Sequence, residues 1–217
     1  MKELTLVVAS KNYSSWSLRP YLALAHTGQP FREVVVPLGE ADTAANIAKY
    51  SPSGRVPALL HGELLIWDSL AICEYLAEQF PQAKLWPQDT AARAQARSVT
   101  AEMHSGFTHL RNHMSMNIRA RLPGEGRASG VADDIARITS LWKECRSRFG
   151  QGGPFLFGAF SIADAFYAPV VTRFVTYGVE LDAVCAAYRD AVLALPALKA
   201  WSEAARNEPP VARYEKK

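Results

Sequence analysis

Three hydroxyl-bearing residues in succession, Tyr13, Ser14 and Ser15, stand just ahead of a helical run. A hydroxyl at the start of a helix stabilises an anion twice, through its own hydrogen bond and by holding the anion at the positive end of the helix dipole. The same composition also suits an ordinary cap, a role expected of Ser17. Asp68 and Ser69 stand at a second junction, between a strand and a helix, where free backbone N–H groups again favour a negative group. On the residues alone this pair reads as an N-cap. Between the two junctions, Val56-Pro57 predicts an extended residue before a proline.

Charge collects further along. Arg93, Arg97, Arg111, Arg119 and Arg121 face a single acidic residue, Glu102, over the same stretch. If that stretch lines a pocket, Arg111 and Arg119 attract an acidic substrate; otherwise they form solvated faces or subunit contacts. His109 and His113 have the four-residue spacing of metal ligands, yet no neighbouring carboxylate completes an HExxH motif, and no metal is expected. Cys73 falls on an apolar helix face and reads as a small core residue. Ser161 and Asp164 form an S-x-x-D box ahead of an apolar run, a capping pattern.

The elements that must position these groups follow from periodicity. Residues 4–9 are a short β-type run, residues 18–25 carry apolar positions at helical spacing, and residues 31–36 are valine-rich, which together predict a β-α-β unit. A weaker helical segment over 42–50 leads to runs at 56–60 and 64–67 flanking His61, Gly62 and Glu63, an antiparallel hairpin, and then to a helix from Leu70. Residues 82–89, rich in proline and polar side chains, are the expected linker between a unit over 1–81 and another over 90–217. Beyond it no strand is evident. One long helix is expected over 90–122, then helices over 131–149, after Ser161, over 182–195 and over 198–207.

Composition sets the outer bounds. With 217 residues, 49% hydrophobic and 21% charged, the chain matches a folded globular protein rather than a disordered one. No run approaches a membrane span, and the N-terminal apolar run is too brief for a signal peptide. Three cysteines without CxxC spacing argue against a disulfide framework and suit a reducing cytoplasm. A net charge of +3 does not call for nucleic acid.

The order of elements, with the motifs NYSSWSLRP at 12–20, GRVPALL at 54–60, DSLAICEYL at 68–76 and FSIADAFYAP at 160–169, resembles the cytosolic glutathione transferases along nearly the whole chain. The serine-rich segment is most similar to the zeta class, which includes maleylacetoacetate isomerases, although Trp16 replaces that class's cysteine. The resemblance implies an α/β thioredoxin-like N-terminal domain (βαβ-ββα) followed by an all-α domain that forms the electrophile pocket. It implies glutathione as co-substrate, a homodimer, and detoxifying conjugation of a small electrophile, or else a cis-trans isomerisation or a module that kept the fold without the chemistry. Because only the thiolate attacks well and a free thiol has a pKa of about 8.5, such an enzyme must stabilise the anion. Ser14 is the implied donor to the sulfur, with Ser15 beside it and Tyr13 as competitor. The implied proline at 57 is cis, with the backbone of Val56 pairing with the peptide as an added strand. Asp68 and Ser69 are implied to hold the γ-glutamyl group. Arg55 and residues 46–49 are candidates for the glycyl carboxylate, or solvated charges. Trp16, Phe107 and Tyr167 are candidates for the electrophile pocket.

Overall fold

The computed structural model describes residues 3–215. Its N-terminal half is a four-stranded mixed sheet in the order β2-β1-β3-β4. β1 (Leu4–Ala9) lies parallel to β2 (Arg32–Val36), with Val7 opposite Val34. That pairing requires a crossover, supplied by α1 (Ser15–His26). β3 (Ala58–His61) runs antiparallel to β1 and turns tightly into β4 (Leu64–Ile66). α2 (Thr43–Ala48) and α3 (Ser69–Gln79) complete this half.

Alternation along β1 assigns its side chains to two layers. Leu4, Leu6 and Val8 face the main core, whereas Val7 points to a smaller cluster with Val36, Ile47 and Ala58. α1 packs against both α3 and the later core helix. One apolar cluster therefore runs without a break from the sheet into the helical half. The expected linker is held within this packing: Leu85 and Trp86 are buried, and Trp86 Nε1 donates to Glu74 at 3.0 Å.

The helical half contains α4 (Thr90–Ser105), α5 (Thr108–His113), α6 (Val131–Phe149), α7 (Ile162–Tyr177), α8 (Ala183–Leu193) and α9 (Pro196–Arg206). The single helix expected over 90–122 is a correction. It ends at Ser105 because Gly106 is extended and Phe107 takes a left-handed conformation, φ 57°, before the short α5 begins. Residues 114–130 form a loop pinned by Asn117, whose Oδ1 accepts from Asn12 Nδ2 at 2.8 Å and whose carbonyl accepts from Thr176 Oγ1. α7 is buried on all sides and opens with the expected capping box of Ser161 and Asp164. The buried Asp164 carboxylate accepts from Ser161 N at 2.8 Å, Leu156 N at 3.1 Å and Tyr188 OH at 3.1 Å. Among the described residues no helix is long and apolar enough to cross a membrane.

Candidate active site

The end of β1, the turn before α1, the segment ahead of β3 and the start of α3 converge on one cleft of about 680 Å³. Ser14, Ser15 and Trp16 line one side of it, Arg55, Val56 and Pro57 another, and Asp68 and Ser69 a third. These are the groups that the sequence marks at separate junctions, brought together by the sheet order β1-β3-β4. The peptide bonds before Pro57 and before Asp68 are both cis.

Ser14, not Ser17, is the N-cap of α1, a second correction. Ser14 Oγ accepts from Ser17 N at 3.4 Å and lies 2.8 Å from Ser17 Oγ. Ser17 is fully buried inside the first turn, where its Oγ accepts from Ala9 N at 3.2 Å and ties helix to strand. Ser15 Oγ makes no hydrogen bond among the described residues and opens on the cleft. The Tyr13 ring also borders the cleft, but its hydroxyl is taken: it donates to the Glu215 carboxylate and accepts from Arg119 Nη2 at 2.9 Å and Val211 N at 3.1 Å.

Across the cleft, Asp68 Oδ1 accepts from Leu70 N at 3.0 Å and Ala71 N at 3.4 Å, capping α3. Its Oδ2 lies 3.1 Å from His104 Nε2 of α4. Burial lowers the His104 pKa, against the opposing pull of Asp68. The Ser69 hydroxyl is buried with no partner among the described residues. Arg55 is exposed at the rim, whereas Lys49 bonds Asn46 at 2.7 Å, outside the cleft-lining set.

Four candidates for the electrophile pocket, Phe107, Arg111, Arg119 and Tyr167, lie outside the set of residues that lines this cleft. Tyr167 is fully buried in α7, its hydroxyl donating to Val99 O at 3.1 Å, so it is a core residue. Phe107 is buried where α4 ends. Arg119 does not face the cleft with a free guanidinium: it bonds Glu208 O, Tyr13 OH and Glu215. Trp16 does line the cleft, and the Arg111 guanidinium lies 4.3 Å from its ring centroid.

Two groups at the site escape sequence reasoning. Tyr214 stacks on Tyr13, with centroids 5.1 Å apart, and forms part of the cleft wall. Arg19, one turn into α1, is fully buried with its guanidinium 4.2 Å from the Trp16 ring and 4.7 Å from Phe166. Its pKa falls to about 9, first through burial and then through repulsion by Arg111 and Arg173. Burial, with Arg111 close by, likewise lowers Arg173 to about 10. The S-S-W-S-x-R segment does place Arg19 on the opening helix, but no local signal marks Tyr214 or Arg173.

A thioredoxin-like sheet joined to a helical half, with a cleft built from two helix N-termini and a cis Val-Pro, is the arrangement of glutathione transferases. Residues 13–79 match the family model for the glutathione S-transferase N-terminal domain and residues 90–204 that for its C-terminal domain. The chain belongs to the glutathione S-transferase family. It is 31% identical over 176 residues to glutathione S-transferase 1 of Dianthus caryophyllus, covering 79% of each chain. It is also 31% identical over 182 residues to maleylacetoacetate isomerase of Pseudomonas aeruginosa, covering 78% of this chain and 82% of that one. Among solved structures, a maleyl pyruvate isomerase described as a bacterial zeta-class glutathione S-transferase aligns with TM-score 0.73 at 22% identity, over 95% of this chain and all of that one. A Burkholderia glutathione transferase homologue with bound glutathione aligns with TM-score 0.71 at 23% identity, over 96% of this chain and 100% of its own.

Proposed function

We propose that the protein binds glutathione in the cleft between Ser14, Val56 and Asp68, stabilises its thiolate and adds the sulfur to a small electrophile. The observation that carries this reading is the convergence of the Ser14–Ser15 turn, cis Val56-Pro57 and Asp68-Ser69 on one cleft. Ser14 is the principal donor. Its hydroxyl exchanges the contact with Ser17 Oγ for the sulfur, a rotation about one bond, while Ser17 keeps its bond from Ala9 N. Ser15, with its hydroxyl unengaged, is the second donor. Both act at the positive end of α1, so the anion gains the dipole as well as the hydrogen bond.

The rest of the tripeptide follows the same chemistry. Backbone N–H and C=O of Val56 pair with the cysteinyl residue as an added strand. The orphaned Ser69 hydroxyl suits the γ-glutamyl carboxylate at the start of α3, and the Asp68 carboxylate suits its ammonium. Arg55 at the rim suits the glycyl carboxylate. Tyr13 contributes its ring but not its hydroxyl. In the transfer step the sulfur lone pair forms the new C–S bond, and the electron pair leaves with a halide or is protonated after addition to an unsaturated carbon. Residues 1–81 would hold glutathione and residues 90–217 the second substrate.

The isomerase relatives favour a second reading, in which the same thiolate adds, permits rotation about the weakened double bond and is eliminated. Both readings share the sulfur site. Three buried free cysteines, Cys73, Cys145 and Cys185, support work in a reducing cytoplasm, and the family resemblance supports a homodimer. The test is turnover of chlorodinitrobenzene and of maleylacetoacetate with glutathione. Turnover of either, reduced by roughly two orders of magnitude in Ser14→Ala, supports the reading. Undiminished turnover in that variant contradicts it.

A further inference from the structure

The turn that carries Ser14 and Ser15 is held from outside the sheet half. We propose that Arg119 is a positioning residue for the sulfur site: from the loop after α5 it locks Asn12 and Tyr13, and so fixes where Ser14 presents its hydroxyl. The inference rests on the transferase reading and deepens it, by assigning a group that lies outside the cleft.

Three observations carry it. First, the turn is only partly self-supporting. Tyr13 N and Ser14 N donate to Ser10 O at 3.1 and 2.9 Å, but every polar group of Asn12 is bonded to a residue distant in sequence. Its N donates to Glu208 at 2.9 Å and its carbonyl accepts from Ile118 N at 3.4 Å. In the side chain, Oδ1 accepts from Arg119 N at 3.1 Å and Nδ2 donates to Asn117 Oδ1 at 2.8 Å. Asn12 is fully buried, so each of these bonds is costly to leave unmade.

Second, Arg119 draws the remaining pieces onto one guanidinium. Nη2 donates to Tyr13 OH at 2.9 Å and to Glu215 at 3.3 Å, and Nη1 donates to Glu208 O. The side chain is only 23% exposed, so its charge is poorly screened and these bonds are of the stronger, charge-assisted kind. Because the Glu208 carboxylate accepts from Lys11 N and Asn12 N, the cation, the C-terminal segment and the turn form one network.

Third, Arg119 acts on the sulfur through position alone. It lines a separate groove of about 590 Å³ with Arg121, Val175 and Leu198, and none of the groove's described lining residues belongs to the cleft. Ser14 follows Tyr13 directly, and a donor misplaced by about 1 Å costs far more rate than the distance suggests. The network thus reaches the chemistry through the turn.

The test uses the full chain with Arg119→Met, Arg119→Lys and Arg119→Ala, read by amide hydrogen exchange and by titration of the bound glutathione thiolate. In Arg119→Met we expect exchange at residues 12–15 to quicken by about tenfold or more, while amides of α7 keep their wild-type rates. The bound thiol pKa should rise by about half a unit to one unit, and kcat/KM for chlorodinitrobenzene should fall roughly tenfold, mainly through kcat. Arg119→Lys keeps the charge and should recover part of each effect. Millimolar ethylguanidinium, entering by the groove, should do the same for Arg119→Ala, a rescue that bulk packing would not show. Exchange that quickens only in the turn, in a protein whose wild-type bound thiol is not lowered, leaves the clamp standing and sinks the transferase reading. Wild-type exchange rates in Arg119→Met would overturn the proposal. So would a loosened turn with unchanged thiol pKa and kcat/KM, or exchange that quickens equally in α7, which would make Arg119 a prop of the whole fold.

Discussion

At the scale of single residues, the account turns on side chains whose obvious partners are missing. Arg19 is the sharpest case, a fully buried guanidinium facing two aromatic rings and no bonded acid. Its ligand-free cost should be measurable: Arg19→Met keeps the packing and removes the charge, and should raise stability by about 1–3 kcal/mol, seen as a higher Tm in glutathione-free buffer. An unchanged or lower Tm would mean that the charge is compensated. Tyr13 is the opposite case, because its hydroxyl has three partners and none to spare. The sequence placed Tyr13 next to Ser14 but carried no sign of that commitment, since Arg119, Val211 and Glu215 come from distant parts of the chain. By contrast, the cap at Asp68 was legible from its immediate neighbours and from a junction that periodicity reveals, whereas the reading of Asp68-Ser69 and Val56-Pro57 as binding groups came from the family resemblance.

At the scale of elements, the C-terminal segment after α9 acts as a strap on the serine loop. Glu208 accepts from Lys11 N at 2.7 Å and Asn12 N at 2.9 Å, and Val211 packs so closely on Gly39 that a Cβ there would lie 2.7 Å from a Val211 methyl. Gly39 has φ 86°, so a larger residue would be strained in its backbone as well as its packing. Removing residues 212–217 takes away the Tyr214 ring and the Glu215 carboxylate that Tyr13 and Arg119 share, and should weaken glutathione binding several-fold, by about 1 kcal/mol, as read by calorimetry. Unaltered affinity would make the strap irrelevant to the site. At α7 the expected effect is on stability. Asp164→Ala strands Leu156 N, Ser161 N and Tyr188 OH and should cost about 3 kcal/mol or more, whereas Asp164→Asn keeps an acceptor and should cost less, both checked by urea unfolding. The capping box was readable from four consecutive positions. The break after α4 was not, because the left-handed Phe107 is set by burial against other helices rather than by its own propensity.

At the scale of the whole molecule, the two halves share one core. The apolar cluster that begins on β1 continues through α1 and α3 into α4, α6 and α7. We therefore predict a single cooperative unfolding transition, with coincident midpoints from far-ultraviolet circular dichroism and tryptophan fluorescence; two separated midpoints would show that the halves unfold independently. The order of strands and helices was legible because each element buries one face, while the placement of the arginines around Trp16 depends on how α1, α5 and α7 meet. Everything proposed for function depends on one event, the ionisation of a thiol at the opening of α1. Its direct measurement is the pH titration of the thiolate absorbance of bound glutathione. We predict a pKa about one to two units below that of a free thiol, shifted back up by about one unit or more in Ser14→Ala. A bound thiol that titrates like free glutathione, or a lowered pKa that Ser14→Ala leaves in place, would contradict the account.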